Sequence, residues 1–294
     1  MEFRPVTNVR DHLSAISRPL EMSAYVICHN EAPFIEACLR SLAFCGQIVV
    51  VDSGSTDGTL ETVRALAAEG LPVELHEREW AGYAAQKQYA LEQCHAEWCL
   101  NLDADETAAP GFAERAAALL AVTGANGIRV ARRIAFHDGT LPPRSVSSYP
   151  LLRIVRRGVA RYDLWTKVHE RLAVDGTIAT EADLVVIDHR ALPATEQLAK
   201  EARYAELKAA QLHEAGRRWS AVRLLLNPPY AFLRAYLVRR YALAGWNGLV
   251  RSLTIAAYAF VTEARLRELN NTSEGGPLRA SNDDFRDREN REGS

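Results

Sequence analysis

The chain has 294 residues and a formal net charge of −2, so its overall charge points to no nucleic-acid partner. Apolar residues make up 48 %, enough for a sizeable core. There is no apolar run long enough to span a membrane and no apolar N-terminal signal stretch, so a soluble or peripheral cytoplasmic protein is expected. The five cysteines, Cys28, Cys38, Cys45, Cys94 and Cys99, are odd in number and lack paired spacing, which predicts reduced core thiols rather than zinc or disulfides.

Residues 1–20 read as a loose arm. Ala24–Cys28 is an apolar run suited to a buried parallel strand. Glu31–Leu42 carries Phe34, Ile35, Cys38, Leu39 and Leu42 at helical spacing. Ile48–Val51 reads as a second strand, and Asp57–Ala68 as a helix capped by Thr56 or Asp57. A strand at Val73–His76, a helix at Tyr83–Cys94 and a strand at Trp98–Leu102 follow. Pro110 opens another helix. This alternation predicts an α/β fold, a mostly parallel sheet flanked by helices. The polar clusters His29-Asn30-Glu31, Asp52–Asp57 and Asp103–Glu106 each follow a predicted strand, at the edge where such sheets bind ligands.

Asn101-Leu-Asp103-Ala-Asp105-Glu106 is a DxD motif directly after a buried strand. Two carboxylates on such a turn can hold Mg2+ or Mn2+, and the ion can grip a diphosphate leaving group. In Asp52-Ser-Gly-Ser-Thr-Asp57-Gly-Thr59, Asp52 sits at a strand end, where it can accept hydrogen bonds from a base or ribose. Asp57 can equally be a simple helix cap. Trp80-Ala-Gly82-Tyr-Ala-Ala-Gln86-Lys87 opens a helix, and a helix N-terminus with a lysine suits a diphosphate. A solvated surface helix would leave the same trace.

In this order the motifs resemble glycosyltransferase family 2, the inverting GT-A enzymes, across Ser23 to His189. The Glu79-Trp80, Gly82-Tyr83 and Gln86-Lys87 spacing is similar to that of the bacterial lipopolysaccharide-core β-1,4-glucosyltransferases. The resemblance implies a metal-dependent transfer of a sugar, glucose by this likeness, from a UDP-linked donor to a lipid-linked glycan such as a lipopolysaccharide inner core. Another acceptor (a lipid phosphate, a capsule or a protein glycan) would leave the same motifs. The implied donor-site residues are Asn30, Glu31, Asp52, Gly82, Gln86, Lys87 and Asp103, and Asp105 is the implied metal ligand. His169 and His189 are candidates to complete the metal shell, imidazole being a suitable ligand.

An inverting transfer needs a base for the acceptor hydroxyl. Glu170, in Lys167-Val-His169-Glu170-Arg171, is the candidate and Asp163 its competitor. The β-rich stretch Gly127–Phe136, Leu151–Arg156 and Leu184–Asp188 should extend the sheet and form the acceptor half, so that residues 21–192 make a catalytic domain divided at 125/126.

Residues 193–269 read as helical and 270–294 as a disordered tail. Between Arg217 and Thr262 there are seven arginines and no acidic residue. Aromatic and aliphatic residues lie between them. That mixture suits an anionic membrane surface, so a peripheral position on the cytoplasmic face of the inner membrane is expected; a packed helical appendage or a dimer interface is the plainer reading. Pro228-Pro229 should break this region into two helices. A nucleotidylyltransferase would need a Gly-rich basic loop where His29–Pro33 stands. A purely scaffolding protein would leave the DxD motif without a purpose.

Overall fold

A computed structural model describes residues 19–146, 150–163 and 172–274. The chain divides into two compact units, with the break between Ala191 and Leu192.

The first unit is built on an eight-stranded sheet in the order β3-β2-β1-β4-β7-β6-β10-β5. Its parallel half comprises β1 (Leu20–Cys28), β2 (Cys45–Asp52), β3 (Val73–Glu77) and β4 (Trp98–Asn101). These strands are joined through α1 (Ile35–Ser41), α2 (Thr59–Ala68) and α3 (Tyr83–Glu92). The unbroken apolar runs of β1 and β2 reflect burial on both faces. Met22, Ala24, Val26 and Cys28 belong to one core cluster, with Ile35, Leu39, Val63 and Leu66 of α1 and α2. Tyr25 and Ile27 belong to the other, with Ala84, Ala90 and Leu91 of α3. The period-two alternation of a strand thus feeds two cores. All five cysteines are buried free thiols.

The other half contains β5 (Glu106–Ala108), α4 (Phe112–Leu120), β6 (Gly127–Ile134), β7 (Leu151–Arg156) and β10 (Ile178–Asp188). Here the mostly parallel expectation resolves into a mixed sheet. Strand β7 lies antiparallel between β4 and β6, β10 runs parallel to β6, and β5 is antiparallel to β10 at the edge. Strands β4, β6 and β10 therefore point the same way, and Asp188 at the end of β10 reaches the edge where β4 ends. A separate hairpin pairs β8 (Ala160–Tyr162) with β9 (Leu172–Val174).

Helix α1 begins at Ile35 rather than Glu31. Asn30 occupies the left-handed region (φ 55°), which Asn tolerates better than most residues, and the position before Pro33 is biased away from helix.

The second unit is helical: α5 (Ala194–Glu214), α6 (Ala221–Leu233), a π turn (Arg234–Val238), a 3-10 turn (Tyr241–Ala244) and α7 (Gly245–Glu274). Pro228 and Pro229 do not break it; both lie inside α6. Each removes one backbone donor, but α6 is capped by Ser220 and packs along α7, which holds the helix together. The break comes at Arg240, in the left-handed region with φ 61°. Nor does the helical region end at Leu269. Asn270 is buried within α7, accepting from the Trp219 backbone N–H at 2.9 Å and meeting His213 Nδ1 at 2.9 Å. The remainder of the expected tail, 275–294, and residues 1–18 of the expected arm lie outside the described residues. No helix among the described residues is long and apolar enough to cross a membrane.

Candidate active site

The loops after β1, β2 and β4 and the end of β10 converge on one edge of the sheet. The loop after β2 is folded by Asp52. This residue is fully buried. Its Oδ1 accepts from the Gly54 and Ser55 backbone N–H groups at 2.8 and 2.9 Å, and its Oδ2 accepts from the Ser55 hydroxyl. The Cys28 thiol also donates to Oδ2 at 3.4 Å. Asp52 thus sets the shape of the loop, which presents Ser53, Gly54 and Ser55. Asp57 clamps the same loop to the one after β1, accepting from Ala32 N–H and from Thr59 N–H, both at 3.1 Å. The N-cap of α2 is Gly58. Asn30 adds a second tie, its Oδ1 accepting from Thr56 N–H at 2.8 Å.

Gly82 begins α3 with φ 97°, a conformation that favours glycine. Gln86, one turn on, is fully buried and donates to Ser53 Oγ at 2.9 Å while accepting from Arg78 at 2.6 Å. It locks the third loop against the second. Lys87 is buried as well, and its ammonium reaches Asp103 Oδ1 at 2.8 Å.

The DxD turn is the densest point. Glu106 is fully buried and closes the turn on itself: it accepts from Asp103 N–H at 3.1 Å, and its own N–H donates to Asp103 O at 2.9 Å. Arg153, on β7, reaches in from below. It donates to Asn101 Oδ1 and Asp103 Oδ2 at 2.8 Å and to Glu106 Oε1 at 2.6 Å. Its Nε is buried with no hydrogen-bond partner. Arg132 lies 3.1 Å from Glu106 and also pairs with Asp188. Arg190 Nε donates to Asp105 Oδ2 at 2.5 Å, and the same guanidinium grips both oxygens of Glu31. Five carboxylates (Glu31, Asp103, Asp105, Glu106 and Asp188) therefore meet four cations (Lys87, Arg132, Arg153 and Arg190).

The cations are unevenly shared, and the acidities follow. Burial works to raise the Asp103 carboxyl, but Arg153 and Lys87 outweigh it and hold the group far below the usual carboxylate range. Burial pushes Glu106 up to about 7 against the pull of Arg153. Asp105 and Glu31 are both raised, chiefly by burial, with Asp188 adding to the effect on Asp105; Arg190 offsets this only in part. Positive charge is thus saturated at Asp103 and short at Asp105 and Glu31.

That imbalance bears on whether a divalent ion fits. Oxygen donors suit Mg2+ or Mn2+, which are commonly held through one or two carboxylates with water and substrate phosphate completing the shell. Asp105, with Glu31 beside it, offers hard oxygens now bridged by a guanidinium, a cation standing between two carboxylates. The residues fit such an ion. Among the described residues no group of three or more His, Cys, Asp and Glu side chains is arranged to hold a metal ion, so an ion at Asp105 and Glu31 would take the rest of its shell from water and substrate phosphate. His189 turns its Nε2 to Thr107 Oγ1 in a 2.8 Å hydrogen bond, and burial pushes its pKa down, toward the neutral ring.

His169 and Glu170 lie outside the described residues. Their connection leaves from Asp163 and returns at β9, and its ends are adjacent because Tyr162 pairs with Leu172. Tyr162 is tied to the sheet by its hydroxyl, 2.9 Å from that of Tyr25, and by its N–H, 2.8 Å from Gln88 Oε1. It also senses the charges of Lys87, Arg153 and Asp103. Tyr162 therefore lies within electrostatic reach of the ion cluster.

Sequence reading overlooked Arg132, Arg153 and Arg190 and gave Glu106 no role. A signal existed for Arg153, a lone charge at a buried position inside the apolar strand Leu151–Arg156.

The family model for glycosyl transferase family 2 matches residues 23–172. LpsC of Rhizobium meliloti (strain 1021), a lipopolysaccharide core biosynthesis glycosyltransferase, is 40% identical over 248 residues, spanning 84% of this chain and 92% of its own. An uncharacterized glycosyltransferase of Rickettsia bellii (strain RML369-C) is 26% identical over 85% of this chain and 87% of its own. Among solved structures, the mannosyltransferase PcManGT from Pyrobaculum calidifontis, in complex with GDP-Man and Mn2+, shares the fold with a TM-score of 0.52 at 20% identity, over 88% of this chain and 92% of that one. The chain belongs to glycosyl transferase family 2, on a GT-A fold whose DxD turn is wrapped in arginine and lysine.

Proposed function

We propose that the protein is an inverting, metal-dependent glycosyltransferase that moves glucose from a UDP-linked donor to the inner core of a lipopolysaccharide or a similar lipid-linked glycan. The observation that carries the reading is the pairing of a DxD turn with four cations, Lys87 and Arg153 buried and Arg132 and Arg190 less so, at the carboxyl edge of the sheet's parallel strands. This is where a nucleoside diphosphate would need both metal and positive charge. The acceptor assignment draws on the likeness to LpsC.

In this reading Asp105, helped by Glu31, holds Mg2+ or Mn2+. When bound, that ion neutralises the departing diphosphate. Asp103 faces the donor ribose, its orientation set by Lys87 and Arg153. The loop folded by Asp52 and Asn30, together with Gly82 and Gln86, lines the nucleoside side. Glu170 takes the proton from the acceptor hydroxyl, and Asp163 is the alternative base. His169 is a further candidate ligand, whereas His189 supports the turn through Thr107.

The acceptor's lipid anchor suggests a site of action on the cytoplasmic face of the inner membrane. The second unit offers a surface for it. Leu225, Val238 and Trp246 are 72%, 74% and 81% exposed, within a run that has arginines and no acidic residue. Apolar side chains with basic neighbours suit an anionic interface.

The test is thermal melting with UDP, GDP and dTDP, each with and without Mn2+. A ligand that binds only the native state raises the midpoint by mass action. The expected result is a shift with UDP that requires Mn2+. Equal melting under all conditions would overturn the donor assignment.

A further inference from the structure

Arg190 is the last residue before the break between the units that touches the site. Its backbone is pinned: its N–H donates to Asp188 Oδ1 at 2.8 Å, and the preceding His189 N–H donates to Asp105 O at 2.9 Å. Its side chain is not confined in the same way. The side chain is 46% exposed, whereas those of Glu31 and Asp105 are 16% and 15% exposed. Its guanidinium rests on the Phe34 ring, 5.6 Å from the centroid, and bridges Glu31 from the β1 loop to Asp105 from the DxD turn. The other three cations hold different carboxylates: Lys87 and Arg153 hold Asp103, while Arg132 holds Glu106 and Asp188.

We propose that Arg190 is a displaceable latch: its guanidinium holds the Asp105 and Glu31 carboxylates until a divalent ion arrives with the nucleoside diphosphate, and then transfers to the diphosphate oxygens. The inference rests on the metal-dependent reading given above. A guanidinium and a divalent ion compete for the same carboxylate lone pairs. The latch therefore lowers affinity for the ion alone. It also leaves one long, half-exposed cation at the mouth of the site, free to make charge-assisted bonds to phosphate once released. Ion and nucleotide then bind cooperatively, because the second removes the cost of freeing Arg190. A latch closed about nine-tenths of the time would weaken the apparent affinity for the ion about tenfold.

The test measures Mn2+ binding by electron paramagnetic resonance, with and without UDP, in the wild type, Arg190→Gln, Arg190→Lys and Asp105→Asn. For Arg190→Gln, Mn2+ alone should bind about tenfold more tightly, and UDP in saturating Mn2+ should bind more weakly. Arg190→Lys should recover part of the UDP affinity. Opposite signs of the two changes separate a latch from a merely structural residue, whose loss would weaken both. Unchanged or weaker Mn2+ binding in Arg190→Gln, with Asp105→Asn losing the ion, overturns the latch alone. Equal Mn2+ binding in the wild type and Asp105→Asn overturns the metal reading and the latch with it. Circular dichroism melting of each variant identifies any that fails to fold; in that event the wild type decides, and absence of any effect of UDP on Mn2+ affinity overturns the proposal.

Discussion

The two units depart from the usual partition of side chains in opposite directions. The first buries charge: Lys87, Arg153, Glu106 and Asp188 are all within a tenth of full burial. The second exposes apolar surface: Val222, Leu225, Leu226, Tyr230, Leu237 and Trp246 are all more than half exposed. Either departure is unfavourable for an isolated chain, since desolvated charge and hydrated hydrocarbon both raise its free energy. Each becomes understandable if the unit is completed by something else. A charged, compact ligand suits the first, and an extended anionic and apolar surface suits the second.

The largest effect should come from removing the cation at the centre of the first unit. Arg153→Met leaves the buried Glu106 and the half-buried Asp103 without their shared partner. Breaking a buried ion pair in this way costs about 3–5 kcal/mol. Urea unfolding of the first unit's transition should show a loss of this size. A loss under about 1 kcal/mol would mean that water reaches the turn and that the charge there is not buried in solution.

That prediction also marks where the sequence was legible. The strands β1, β2 and β4 and the helices between them could be read because doubly covered parallel strands appear as unbroken apolar runs. The DxD turn was recognisable for the same reason, since it follows one of those runs. Strands β5, β8 and β9 have three residues each, too few for any periodicity to register. The cations escaped because their partners are remote: Arg190 meets Glu31 across 159 residues, and Arg153 meets Glu106 across 47. No local pattern encodes such a pair. Pro228-Pro229 misled in the other direction, since packing of α6 on α7 overrides a strong local breaker.

Next in size is Asp105→Asn, which keeps the shape of the turn but removes a charge. If Asp105 holds the ion, transfer should fall at least about a hundredfold, the scale on which loss of one preorganised electrostatic contact is felt. The melting midpoint should stay close to the wild type, because Asn keeps the shape of Asp and the partner left behind, Arg190, is half exposed to water. Retained transfer would remove its metal role and separate the charge cluster from catalysis.

The second unit is probed by Arg234→Gln combined with Arg240→Gln, both exposed. Each arginine near an anionic surface contributes about 1 kcal/mol, so the pair should weaken binding to vesicles rich in acidic phospholipid about thirtyfold. Cosedimentation at low and high salt measures this. Transfer to a water-soluble acceptor fragment should be unaffected. Equal vesicle binding by variant and wild type would assign the exposed face to packing or self-association, and the contrast between the units would lose its second half.

The smallest effect concerns the pair of buried hydroxyls of Tyr25 and Tyr162. Tyr25→Phe removes the hydroxyl pair with Tyr162, a net loss of about 1 kcal/mol at neutral pH. Its pH signature is more specific. Burial raises the pKa of both hydroxyls, which adds to the mutual effect of the two tyrosines on Tyr25. They stay protonated in the fold while the unfolded chain releases these protons above pH about 10. Above that pH the native state binds more protons, so stability falls as pH rises. Tyr25→Phe has one such proton fewer. It should start less stable at pH 7 and lose less between pH 10 and 11, which thermal melts across that range would show. Parallel pH profiles would mean that the pair is hydrated in solution and that the two hydroxyls do not share a dry contact.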